Sequence, residues 1–147
     1  MLHPAPVTQL PAHVARGKLL EQVDATATTP AYVVLTFPNT SYRLRLHPEG
    51  GVRAELGKRI EGVIHADARR VDKVGSGGRY VEPVFGRPRR VQGSVVAKDE
   101  KANTITVHAG VPIVCRLTDA RQRADQFEVG DFVSFDVLRG ATFTENA

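Results

Sequence analysis

Residues 31–46 read AYVVLTFPNTSYRLRL, and this stretch decides the fold. Ala31 to Phe37 is dense in β-branched and aromatic residues, which suit a pleated surface better than a helix. Pro38-Asn39-Thr40-Ser41 supplies a tight turn. Tyr42, Leu44 and Leu46 then alternate with Arg43 and Arg45, so one face of the second strand is apolar and the other is cationic. The expectation is a β-hairpin with one buried face, inside an all-β protein.

Moving outward, Val14 to Asp24 reads as a strand closed by the polar turn ATATTP at 25–30. Residues 51–74, GVRAELGKRIEGVIHADARRVDKV, fit helical spacing and strand alternation about equally. Gly57 and Gly62 cost a helix ~1 kcal/mol each relative to Ala. The reading is therefore a short turn or helix near Val52 to Leu56, then a strand from Lys58 to about Asp67. VQGSVVAKD (91–99), TITVHA (104–109), IVCRLT (113–118) and GDFVSFDVL (130–138) read as strands. DARQRADQF (119–127) reads as one or two helical turns with Asp119 as N-cap. ATFTENA (141–147) reads as a short edge or tail. Residues 1–12, broken by Pro4, Pro6 and Pro11, read as an extended arm.

The two halves can be laid over each other. Gly17-x-Leu19-Leu20 matches Gly93-x-Val95-Val96, and Val33 and Leu35 match Ile105 and Val107. Tyr42, Leu44, Arg45 and Leu46 match Ile113, Cys115, Arg116 and Leu117. Glu55-Leu56-Gly57-Lys58-Arg59-Ile60 matches Glu128-Val129-Gly130-Asp131-Phe132-Val133. Such a match implies an internal repeat. Each unit runs strand, strand, strand, short helix or turn, strand, and this order resembles the small five-stranded barrel of the OB fold. The resemblance implies two OB-like halves packed as one compact β-barrel-type unit. It carries no binding residues over. The expected division is an arm at 1–12, a first half at 13–67, a connector at 68–90 and a second half at 91–147.

The connector holds the charge. Between Arg69 and Arg90 the chain has seven basic residues against Asp72 and Glu82, while the rest holds 13 basic and 14 acidic residues. The whole formal surplus of +4 therefore sits in one segment, and a localised surplus can attract an anion. Arg69, Arg70, Lys73, Arg79, Arg87, Arg89 and Arg90 are the candidate phosphate-binding cations, and Tyr80 and Phe85 between them are candidate stacking surfaces. Gly75-Ser76-Gly77-Gly78 could present backbone N–H groups to an anion. The bland alternative is a structural linker, with its arginines paired to carboxylates and with Tyr80, Val81, Val84 and Phe85 in the core. Arg43, Arg45 and Arg116 project from polar strand faces, either extending the basic surface or simply solvated.

Other chemistry finds little support. There is no P-loop or dinucleotide-binding glycine pattern. His3, His13, His47, His65 and His108 make no metal-ligand spacing with one another or with Cys115, so no metal and no cofactor is expected. His65 and Asp67 share one side of a strand, but a pair is too few ligands. Cys115, the one cysteine, reads as a small buried hydrophobe and excludes an intrachain disulfide. No apolar run approaches the ~20 residues of a membrane helix, and the N-terminus lacks a signal-peptide pattern. The expectation is a cytoplasmic, non-catalytic binding module. Its ligand would be single-stranded or structured nucleic acid or another polyanion. The alternative is a protein-interaction or assembly module acting on a partner or on itself.

Overall fold

The computed structural model describes residues 10–146, so the expected arm lies almost wholly outside the described residues. The chain is all-β. Its strands are β1 (Ala15–Val23), β2 (Tyr32–Thr36), β3 (Arg43–Pro48), β4 (Arg59–Lys73), β5 (Tyr80–Glu82), β6 (Phe85–Gly86), β7 (Arg90–Asp99), β8 (Thr104–His108), β9 (Pro112–Leu117) and β10 (Phe132–Glu145). The expected hairpin is present as β2 and β3, with Leu35 opposite Leu44 and Val33 opposite Leu46, all four buried. No helix of the described residues is long and apolar enough to cross a membrane.

All ten strands of the described residues belong to one sheet, and its pairings close on themselves twice. One circuit runs β1, β2, β3, β10, β4 and back to β1. The other runs β7, β8, β9, β4, β10 and back to β7. The two long strands serve both. The start of β4, Arg59 to Gly62, pairs with β1, whereas His65 to Ala68 run parallel to β9. The start of β10, Phe132 to Asp136, pairs with β7, whereas Thr142 and Phe143 run parallel to β3. Buried residues from both circuits, including Leu19, Ile64, Phe143, Val107, Val71 and Phe135, form one continuous core.

Several local expectations change. Residues 141–145 are neither edge nor tail: they continue β10 and lie between β3 and β4. The alternation breaks because Arg139 takes a φ of +58° and residues 139–141 step out between the pairs Leu138–Asp67 and Thr142–His65. β4 runs six residues past the expected end at Asp67, so Ala68 to Lys73 are sheet rather than connector. Arg69 and Arg70 are both exposed because β4 bulges there, with Ala68 paired to Val137 and Val71 to Phe135. Residues 52–57 form a turn and no helix. In DARQRADQF only Ala124–Gln126 is helical, as one 3-10 turn entered from Arg123. Asp119 instead closes a tight turn by accepting the Arg121 N–H at 2.9 Å.

Pairings of the first half have counterparts in the second. Gly17 lies opposite Ile60 and Gly93 opposite Val133. Leu19 donates to Lys58 O and accepts from Gly57 N–H, and Val95 does the same with Asp131 and Gly130. Gly57 and Gly130 both hold positive φ, at 80° and 101°. A Cβ on Gly17 would collide with Thr36 O, and one on Gly93 with His108 O. The register also moves one pairing. Leu35 faces Leu44 and Val107 faces Ile113, so the counterpart of Cys115 is Leu46 and not Leu44.

Candidate functional site

The connector proper, residues 74–89, is strapped to both circuits. β5 adds antiparallel to β7, and β6 pairs parallel with β3. The Arg43 N–H donates to Val84 O, the Arg89 N–H to Glu82 O, and the Val137 N–H to Arg89 O. A cis peptide joins Glu82 to Pro83. Tyr42 binds the strap from below: its hydroxyl accepts the Val81 N–H at 3.0 Å and donates to Ala109 O at 2.8 Å.

Between this strap, the β2–β3 face and the loop before β2 lies an open groove of ≈ 1180 Å³. Arg45, Arg87, Arg89 and Arg90 line it against a single carboxylate, Glu82. Such an imbalance on a concave wall concentrates positive potential. The backbone at Gly140 underlies the Arg87 side chain, since a Cβ there would meet Arg87 Cδ at 3.3 Å. Two rings carry a guanidinium. The Arg45 Cζ lies 3.8 Å from the Tyr32 ring centroid, and the Arg43 Cζ lies 5.3 Å from that of Phe85. Both distances are within cation–π range. Phe85 is not core: its side chain is 63% exposed, with Val84 beside it also exposed.

The nine residues expected to form the site divide into three groups. Phe85, Arg87, Arg89 and Arg90 line the groove. Tyr80 supports it from behind, because its hydroxyl accepts from Arg90 Nε at 3.3 Å and donates to Gln92 Oε1 at 3.3 Å. Arg69, Arg70, Lys73 and Arg79 do not line it. Arg70 pairs with Asp72 and Lys73 with Asp131, while Arg79 reaches Ser94 Oγ at 3.4 Å. Arg90 is also committed, to Asp136 at 2.7 Å and Ser134 Oγ at 2.7 Å. Arg87 and Arg89 have no carboxylate within ion-pair distance among the described residues. Tyr32 and His47 were not singled out from sequence, although both stand on the solvent side of the same hairpin.

The remaining candidates are accounted for by packing. Cys115 is fully buried, and that burial pushes its thiol far up from the usual range. Asp67 is held bidentately by Arg116, at 2.9 and 2.7 Å, leaving it no free ligand pair with His65. Among the described residues no three His, Cys, Asp or Glu side chains converge as metal ligands would.

No protein family, curated protein or solved structure matches the chain.

Proposed function

We propose that this chain is a non-catalytic binding module that holds a polyanion, nucleic acid foremost, in the groove between the strap and the β2–β3 face. The observation that carries the reading is a wall of four arginines facing one carboxylate, with Arg87 and Arg89 in no ion pair among the described residues. Arginine is suited to phosphate because its planar fork donates two hydrogen bonds at once.

On the same reading the two circuits are OB-like barrels from an internal duplication. Each has three antiparallel strands, a turn and a long fourth strand, and each takes its fifth strand from the far end of the other half's fourth. The parallel pairs β3–β10 and β9–β4 support this exchange. The groove then lies on strands two and three of the first barrel, a face that OB folds use for oligomeric ligands.

The test is a titration of the protein with labelled oligonucleotides at several salt concentrations. Binding at low salt should weaken as salt rises, and Arg87→Ala with Arg89→Ala should abolish most of it. No binding of any polyanion at low salt would sink the reading.

A second reading, assembly with a protein partner or a second copy, is favoured by Leu56 and Val129. These stand 60% and 64% exposed on matching turns of the two halves. Light scattering separates the readings: a stable oligomer dispersed by Leu56→Ser with Val129→Ser supports assembly.

A further inference from the structure

We infer that the occupant of the groove is a single nucleic-acid strand whose unpaired bases stack on the two arginine-capped rings, Tyr32 and Phe85; this deepens the polyanion reading and rests on it. A polyanion without rings would use Arg87 and Arg89 and leave these platforms empty.

Arg43 and Arg45 stand two residues apart on β3, hence on one face and about 6.8 Å apart. Each lies over a ring contributed by a different neighbour: Phe85 from the strap, Tyr32 from β2. Phe85 pairs with Arg43 on one edge of β3, whereas Tyr32 precedes Val33, which pairs with Leu46 on the other edge, so the two platforms stand apart on opposite sides of the strand. Bases on both platforms are therefore drawn out of a continuous stack, as in an extended single strand. A duplex cannot supply this contact, because pairing and stacking hide the faces of its bases.

Flat guanidinium and aromatic surfaces accept any base by its π-face. Phe85 stays 63% exposed, so burial in the core does not explain a large apolar group there. Arg87 and Arg89 sit beside these platforms on the same wall, where they can follow the phosphates. At ≈ 1180 Å³ the groove exceeds the ~300–1,000 Å³ of small-ligand sites and suits a length of chain.

The experiment is fluorescence anisotropy on the full chain at low salt. The probes are an eight-nucleotide thymidine strand, its uridine counterpart, an abasic strand of the same length and charge, a hairpin duplex and an eight-residue polyglutamate. Wild type is compared with Phe85→Leu, a change at an exposed ring that circular dichroism should find folded. Either single strand should bind at least tenfold more tightly than the abasic strand, the duplex and polyglutamate. Phe85→Leu should weaken single strands roughly 5- to 100-fold, the range expected for losing one stacked base. It should leave the abasic strand within about twofold. Should the abasic strand, the duplex or polyglutamate bind as tightly as the single strands, the inference is overturned. Equal weakening of the single and abasic strands by Phe85→Leu overturns it too, and in either case the polyanion reading stands. If nothing binds, both fall.

Discussion

The Tyr42 hydroxyl donates to the Ala109 carbonyl at 2.8 Å, bonding a side chain of the first half to the backbone of the second. The same oxygen accepts the Val81 N–H from the strap. One phenol thus joins three segments that are far apart in sequence. Tyr42→Phe keeps the ring and leaves two backbone groups without that partner. It should lower stability by ~1–3 kcal/mol. The urea midpoint should fall at unchanged m-value. Burial also raises the phenol above its usual 10.0, against the opposing pull of the Val81 bond. Stability from this group is therefore complete below about pH 10 and lost as pH rises through the folded value. Tyr42→Phe should remove that part of the alkaline loss.

Gly17 and Gly93 should be equally intolerant of substitution. In each case a methyl group would enter the space of a carbonyl oxygen on the neighbouring strand, Thr36 or His108. Backbone cannot swing aside as a flexible side chain can. Gly17→Ala and Gly93→Ala should each cost ~1–3 kcal/mol or more in thermal or urea unfolding. A neutral result at either position would show that the strands separate there at little cost.

Arg90 and Arg89 should separate stability from binding. Arg90 holds Asp136, the buried Ser134 hydroxyl and Tyr80, so Arg90→Ala should cost ~1–2 kcal/mol of stability along with affinity. Arg89→Ala should leave unfolding unchanged. It should reduce the salt slope of oligonucleotide binding by roughly 0.7, one phosphate contact on a single strand. Paired calorimetry and salt titrations check both.

Mild acid should weaken the fold through two histidines. Burial holds His65 and His108 below their usual 6.5; Arg79 adds to this at His108, and Asp67 partly opposes it at His65. His108 Nδ1 is buried with no hydrogen-bond partner among the described residues. The unfolded chain takes up these protons first, so the contribution is complete above about pH 6.5 and lost as pH falls below it. Urea midpoints should be lower at pH 5 than at pH 7.5, and His108→Gln should shrink the difference.

The hairpin 31–46 was legible because strand alternation is local: Leu44 and Leu46 declare their face within five residues. The sharing of β4 and β10 was not legible, since His47 meets Thr142 only through the closed circuit. The step-out of residues 139–141 also hides the continuity of β10 by breaking its alternation. Charge density drew attention to Arg87 and Arg89, and Phe85 stands between the basic runs; all three line the groove. The same density also drew attention to Arg70 and Lys73, whose partners Asp72 and Asp131 neutralise them. A charge count cannot see such pairings. Tyr32 and Arg45 join the site only because β6 lies against β3.

The last strand bears on how the protein is made. A ribosome releases β1, β2 and β3 early, yet their circuit lacks its fifth member until Thr142 to Glu145 emerge. Strands synthesised before β7 are thus completed by residues synthesised after it. Removing a handful of residues after Arg139 would spare the neighbouring β7–β9 strands and open the distant N-terminal ones.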